Sequence, residues 1–193
     1  MRKRLPCAFT LVELLIVVVL LGIAGALVIP NMASAHSLRV QAALRTIASD
    51  LTFAQADAIA FQRRRAIVFD VPNNRYRIVD IPGSAVSDDN TLFKSDGPGG
   101  LYVVDLNEES FAGARIVSAS FAQVNGLPTL IYDDVGSPAA AATGDQPGLG
   151  GIIRLSGSNQ TFDIIVEPYT GRVSTRRVVN IPLPPAPEPE PAS

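Results

Sequence analysis

An apolar run of 21 residues dominates the start of this chain: FTLVELLIVVVLLGIAGALVI, residues 9–29. A helix over this run would be about 31 Å long at about 1.5 Å per residue, close to the roughly 30 Å hydrocarbon core of a bilayer. Arg2, Lys3 and Arg4 precede the run, and such a basic cluster stays in the cytoplasm. The run therefore predicts a single membrane crossing, with everything after Pro30 outside the cytoplasm.

Glu13 is the only charged residue inside this run. A carboxylate near the bilayer midplane costs about 2.5–3.5 kcal/mol on insertion scales, so it is rarely kept without a partner. Cutting the chain before Phe9 would create an α-amine four residues ahead of Glu13, a spacing that places both groups on one helical face. The run therefore predicts a processed membrane helix that packs against copies of itself.

The segment Ala8-Phe9-Thr10-Leu11-Val12-Glu13-Leu14-Leu15 resembles the type IV prepilin signature. In that family a small residue precedes the cut, Phe follows it, and Glu is the fifth residue after it. The resemblance implies that a prepilin peptidase cleaves between Ala8 and Phe9 and methylates the new amine of Phe9. It also implies that Glu13 serves filament assembly. The family usually has Gly at the position of Ala8.

Two other interpretations of the N-terminus compete with this one. Ala33-Ser34-Ala35 is a small-x-small site, where a signal peptidase could release a secreted binding module that begins at His36. A plain signal anchor is the second alternative, and it leaves Glu13 unexplained. The length of the apolar run and the acid within it favour the prepilin interpretation.

Composition limits the partners and the cysteine chemistry of the processed chain. From Phe9 onward the chain keeps 13 basic and 18 acidic residues, a net charge of −5. This mild acidity gives no general attraction to nucleic acid. The single cysteine, Cys7, lies ahead of the predicted cut, so the processed chain can form no internal disulfide and no cysteine metal site.

Beyond Pro30 the pattern predicts a helix followed only by strands. Apolar residues recur every three or four positions, which indicates a helix that continues to about Gln62; they are Val40, Leu44, Ile47, Leu51, Ala54, Ala58 and Phe61. Asp50 is assigned to the opposite, polar side. Strands are predicted at 66–71, 75–80, 101–106, 115–121, 129–132, 152–155, 161–166 and 172–174, with loops at 82–100 and 137–151. This order indicates an α+β fold with one antiparallel sheet.

Residues 44–63 look like the end of the helix in the GspH/FimT family, and Gly171-Arg172-Val173 is similar to a late Gly-Arg feature of that family. The expected fold is pilin-like, with a long N-terminal helix, transmembrane in its first half, packed on an antiparallel β-sheet domain. The predicted division is a leader at 1–8, a transmembrane and assembly segment at 9–30, a periplasmic helix at 31–62, a β-rich domain at 63–181 and a proline-rich disordered tail at 182–193.

The sequence offers little catalytic chemistry, and no catalytic residue is predicted. A Ser-His-Asp triad would need the single histidine, His36, which lies just outside the membrane segment. Asp88-Asp89-Asn90 and Asp133-Asp134 lack the spacing of a calcium loop. We therefore expect no enzyme activity, no cofactor and no metal.

Arg172, Arg176 and Arg177 form one of two basic clusters, the other being Arg63-Arg64-Arg65. Some proteins that resemble FimT bind DNA through a late Gly-Arg-x-Arg segment, but here Ser174 stands in place of the second arginine. The late cluster is a candidate nucleic-acid contact, although nucleic acid is not expected as a partner overall. The alternative is that these arginines cap the helix and pair with nearby acids.

The resemblance implies a minor pseudopilin of a type II secretion system or, alternatively, a minor type IV pilin in pilus assembly or DNA uptake. Other pseudopilins or pilins, the prepilin peptidase and an inner-membrane secretion platform would be its partners. Its expected location is the inner membrane, crossed once, with a cytoplasmic N-terminus before processing and a periplasmic globular domain.

Overall fold

The computed structural model describes residues 10–144 and 146–178, and within the helix it describes the backbone but not the side chains of residues 26–36. A single α-helix, α1, runs from Leu11 to Phe61, and its 51 residues correspond to about 76 Å at about 1.5 Å per residue. It continues through Pro30, as the sequence predicted, and ends where Gln62 adopts a left-handed conformation with φ 49°.

Among the described residues, ten β-strands follow α1, all paired antiparallel and divided between two sheets. They are β1 (Arg65–Asp70), β2 (Arg75–Asp80), β3 (Val103–Asp105), β4 (Arg115–Ala119), β5 (Gln123–Val124), β6 (Leu127–Tyr132), β7 (Pro138–Ala139), β8 (Gly151–Gly157), β9 (Gln160–Val166) and β10 (Val173–Val178). The first sheet has the order β3-β2-β1-β6-β5, with β7 also paired to β6, and the second has the order β10-β9-β8-β4.

The predicted α+β fold, a long helix packed on antiparallel strands, is confirmed, but the strands divide between two sheets rather than one, because the chain leaves the second sheet after β4 and enters the first at β5. The predicted strand at 115–121 ends at Ala119, and Ser120 donates its backbone N–H to the carbonyl of Ile152 at 2.8 Å. Four residues later, Val124 already pairs with Leu127 in the other sheet. The short strands β5 and β7 were not predicted, since two residues are too few for an alternating pattern to show.

The main hydrophobic core lies between α1 and the inner faces of both sheets. It includes Ile47 and Leu51 of α1, Phe69 of the first sheet, and Leu155 and Ile164 of the second, all at most 1% exposed. The outer face of the first sheet is also covered, because Val86 of the 82–100 loop packs on it with Ile131 and Val68. The helix is therefore held by two sheets at once, over its C-terminal half.

Candidate functional site

The first part of α1 stands apart from the rest of the protein. From Leu11 to Gly25 every residue is exposed, and the large apolar side chains among them are 47–80% exposed. Methyl groups added at Gly22 or Gly25 would meet no atom within 4 Å. We call residues 11–25 the apolar arm. Nothing in the described part of the chain packs against its side chains.

Glu13 lies in the first turn of this arm. The Thr10 hydroxyl accepts a hydrogen bond from the Glu13 backbone N–H at 3.2 Å and so caps the start of the helix. Thr10-Leu11-Val12-Glu13 has the spacing of a capping box, in which an acid at the third helical position can turn back toward the cap. This signal was readable in the sequence but was missed there. It gives Glu13 a local role besides the predicted pairing with the amine of Phe9. Ala8 and Phe9 lie outside the described residues.

The second part of α1 is docked onto the sheets. Most of the predicted apolar stripe is buried: Val40, Ile47, Leu51, Ala54 and Ala58 are at most 1% exposed. Leu44 is half-buried, and Phe61, at the helix end, is 65% exposed. The face of the helix turned away from the sheets stays open along its length. We call it the open face; it carries Leu38, Arg45, Ser49, Thr52, Ala56 and Ala60.

Asp50 is buried, which corrects its assignment to the polar side of the helix. Its carboxylate accepts hydrogen bonds from the hydroxyls of Tyr76 at 2.6 Å and Tyr102 at 3.0 Å. Burial raises the pKa of the Asp50 carboxyl above its ordinary value, although both hydrogen bonds oppose this shift. Lys94 lies 5.0 Å from the centre of the Tyr102 ring. The group ties α1 to β2 and to the residues just before β3.

The first basic cluster fastens the end of α1 to the sheet, as one of the sequence interpretations held. The Arg65 guanidinium, 5% exposed, pairs with Asp57 on the helix and with Asp80 on β2. Arg63 contacts Asp80 at 3.2 Å from a more exposed position. Arg64 donates to the backbone carbonyls of Ala142 and Gly144. This cluster is therefore engaged in holding the fold.

The late arginines do not share one surface. The strand register places Arg176 opposite Asp163 and Arg177 opposite Phe162, so their side chains leave β10 on opposite faces. Arg176 donates to Asp163 at 3.2 Å, and Arg172 lies 3.8 Å from Glu167. The candidate contact formed by Arg172, Arg176 and Arg177 is thus split by the sheet.

Asp163 has two arginine partners. Arg154 on β8 reaches its carboxylate through two hydrogen bonds, at 2.8 and 3.1 Å, and Arg176 supplies a third. The hydrogen bond from Arg154, assisted by Arg176, lowers the pKa of the Asp163 carboxyl although its burial acts in the opposite direction. Arg154 was not singled out in the sequence because its partner lies across a hairpin.

The acidic pairs considered for calcium serve turns and ion pairs. Asp133 accepts hydrogen bonds from the backbone N–H groups of Val135 and Ser137, and Asp88 pairs with Arg77. Among residues 10–144 and 146–178, no three His, Cys, Asp or Glu residues are grouped so that they could hold a metal ion. The side chain of His36 lies outside the described ones.

Within the described residues, no helix meets both the length and the apolarity that a membrane crossing requires. The predicted crossing at 9–29 begins at a residue outside the described range, and the side chains of its last four residues are also outside it.

Comparison with known protein families finds a match at the N-terminus of this chain. Residues 4–29 match the model of the prokaryotic N-terminal methylation motif. No curated protein matches the chain. Among solved structures, the minor pseudopilin EpsH from the type 2 secretion system of Vibrio cholerae is similar with a TM-score of 0.47 and 10% sequence identity, over 72% of this chain and 96% of that one. The residues that match the methylation motif therefore overlap the first part of a long helix, whose second part is packed on antiparallel sheets.

Proposed function

We propose that this chain is a minor pseudopilin subunit of a type II protein secretion system. It is cut before Phe9 by a prepilin peptidase and methylated there. It is anchored in the inner membrane, and it assembles through α1 into a pseudopilus with its sheet domain in the periplasm. Its role is structural, and it works with other pseudopilins and with the inner-membrane secretion platform. The observation that carries the proposal is the apolar arm, which lies within the residues that match the methylation motif and has no partner in the described chain.

The exposure of the arm supports a partner on every side. A helix that is apolar all round is covered by lipid or by other helices, and a patch this long is rare on the surface of a soluble monomer. Gly22 and Gly25 leave open space beside the backbone, and small residues allow neighbouring membrane helices to approach closely. The open face of the docked half also carries small residues, so one helix surface can continue the contact from the membrane into the periplasm.

Glu13 supplies the specificity of this packing. In the assembled filament its carboxylate would neutralise the amine of Phe9, in its own chain or in a neighbour. The capping box offers a second explanation for an acid at this position, because Thr10 already caps the helix. The two explanations differ in whether the side chain at position 13 must carry a negative charge. A glutamine serves a capping box as well as a glutamate does, but it cannot neutralise an amine.

The test compares three variants in the native host: Glu13→Gln, Glu13→Ala and Thr10→Ala. We expect both Glu13 variants to insert and fold yet to be absent from cross-linked filament species in the membrane. Thr10→Ala removes the cap but keeps the charge, so this matched control should still enter the filament. Incorporation of Glu13→Gln at the wild-type level would contradict the proposal and would leave capping as the role of Glu13.

A minor type IV pilin is the second candidate function, because the same motif and arm would serve it. Deletion of the gene distinguishes the two: loss of protein secretion with pili intact supports the pseudopilin, whereas loss of pili or of DNA uptake supports the pilin. The division of Arg176 and Arg177 between two faces favours secretion over uptake. The third interpretation, a module released after Ala35, would require a cut within α1, which runs unbroken through that site.

A further inference from the structure

A groove lies on one flank of α1, between the helix and the end strand β10. Its volume is about 420 Å³, and it is lined by Gln41, Leu44, Arg45, Ala48, Phe162 and Thr175. Strand register places Arg177 directly opposite Phe162, on the face of β10 that Thr175 shares. We call this surface, together with Arg177, the basic groove. The backbone edge of β10 beside it is unpaired among the described strands.

Both arginines of the basic groove lack a counter-ion. Arg45 and Arg177 are exposed, and neither has an ion-pair or hydrogen-bond partner in the part of the chain that the structure describes. None of the side chains that line the groove is acidic. Leu44 and Phe162 pack against the main core and are only partly buried, so they leave apolar surface in the groove. The groove therefore combines apolar surface with two positive charges that no described residue neutralises.

A second hollow lies on the other flank of α1, beside Thr46. Its volume is about 190 Å³, and its charged lining residues are Lys94, Asp96, Asp105 and Glu108. Three carboxylates and one ammonium group leave this surface with two uncompensated negative charges. Glu109 and Arg39 add one charge of each sign nearby, because Glu109 follows Glu108 and Arg39 lies about two helical turns before Thr46. We call this surface the acidic hollow.

The two surfaces lie on opposite flanks of α1 and at nearly the same height. Thr46 of the acidic hollow and Ala48 of the basic groove are two residues apart, which corresponds to about 3 Å along the helix axis and about 160° around it. Ser49 of the open face lies between them. Two parallel copies placed side by side can therefore bring the hollow of one against the groove of the other with little shift along the helix.

We propose that the acidic hollow of one copy docks into the basic groove of a second copy of this chain. Two negative charges then meet two positive charges, and such complementarity fixes the partner and the register. The charges favour a second copy as the occupant, because it supplies an acidic surface that itself lacks a counter-charge.

This contact joins two different surfaces, so it is heterologous. Its repetition produces an open helical filament wherever the rotation between copies does not close a ring. Docking in this orientation rests on the proposed function, which anchors all copies in one membrane and so keeps their helices parallel.

Cysteine cross-linking in the membranes of the native host tests the contact. Two differently tagged full-length copies, both in a Cys7→Ser background, replace the host's own copy. One carries Thr175→Cys in the basic groove and the other carries Ser110→Cys in the acidic hollow; both positions are exposed. A short bismaleimide should link the two different copies and should give little product when both copies carry the same cysteine. As a matched control, Ser118→Cys, exposed on β4, should not link to Ser110→Cys.

Charge reversal shows whether the contact depends on the assigned groups. Arg45→Glu combined with Arg177→Glu should lower the cross-linking yield roughly tenfold. Asp96→Lys combined with Glu108→Lys in the other copy should then restore it, and this recovery would also show that both sets of variants fold. Arg115→Glu reverses an exposed arginine outside the groove and should leave the yield unchanged.

Disulfide formation between two copies that carry Ile16→Cys in the apolar arm reports whether copies are neighbours at all. If the arms link but the groove and the hollow do not, or if the yield is insensitive to the charge reversals, the inference is overturned and the proposed function is unaffected. If neither pair links, copies of this chain are not neighbours, which also overturns the inference, and the Glu13 variants decide the proposed function separately. Linkage of Thr175→Cys or Ser110→Cys to a different host protein in place of the second copy overturns it as well.

Discussion

The two halves of α1 share one helical backbone and differ in what covers their side chains. From Leu11 to Gly25 the residues are nearly all apolar and all exposed, whereas between Val40 and Ala58 an apolar stripe with a residue at every third or fourth position is largely buried and polar residues stand on other sides of the helix. The docked half has a partner on one side because its sequence is apolar on one side. The apolar arm, by the same reasoning, requires a partner all round, and the part of its own chain that the structure describes does not provide one.

The largest expected effect concerns the junction between the docked half and the first sheet. Arg65→Gln leaves Asp57 and Asp80 without their shared buried cation, so the sheet domain should lose about 3–5 kcal/mol of its free energy of unfolding. Arg63→Gln is the control: it removes the contact to Asp80 from a guanidinium whose side chain is 58% exposed, and it should cost at most about 1 kcal/mol. Urea denaturation of the full chain in micelles, followed by tyrosine fluorescence, measures both. Equal losses would mean that Arg65 does not hold this junction.

A matched pair of isoleucines sharpens the comparison of the two halves. Ile47 is fully buried and Ile16 is 51% exposed. Ile47→Ala should destabilise the sheet domain by about 2–5 kcal/mol, because it leaves a cavity under both sheets. Ile16→Ala should leave that free energy unchanged and should instead weaken association between chains. A loss of domain stability in Ile16→Ala would show that the arm packs on its own domain.

Substitution of Asp50 should have a smaller effect on the free energy of unfolding, and this effect should depend on pH. Asp50→Ala removes the acceptor of two buried tyrosine hydroxyls and should cost about 1–3 kcal/mol. Because the pKa of Asp50 is raised in the folded state, the native chain binds this proton more tightly than the unfolded chain does. Its contribution to stability is therefore present at low pH and is lost as pH rises from about 4 through the raised pKa.

Asp50→Asn separates the hydrogen bonds from the charge. This variant keeps an acceptor but cannot ionise, so its stability relative to the wild type should increase as pH rises from about 4 to 7. Asp163, whose pKa is shifted downward, is present in both chains and cancels in the difference. A difference that does not change with pH would contradict the assignment of a raised pKa to Asp50.

Local pattern was sufficient for much of this fold. The alternation on either side of Pro72-Asn73-Asn74 predicted the β1–β2 hairpin nearly to the residue, and the apolar spacing predicted where α1 ends. The methylation motif was also readable in the sequence, since its residues are contiguous. These features depend on neighbours within a few residues.

Features that depend on distant residues were missed. The local pattern assigned Asp50 to the polar surface. Its hydroxyl donors, Tyr76 and Tyr102, lie 26 and 52 positions away in the sequence, so the pattern could not show them. Arg176 and Arg177 are adjacent in the sequence and were predicted as one cluster, but β10 places their side chains on opposite faces. The division into two sheets likewise rests on a crossover that carries no local pattern.

The mass of the mature protein purified from the membranes of its native host tests the account most directly. We predict a single species that begins at Phe9 and carries one methyl group on its amine, because only this processing creates a counter-ion for Glu13 within the apolar arm. A chain that retains Met1, or one that begins at His36, would contradict the account.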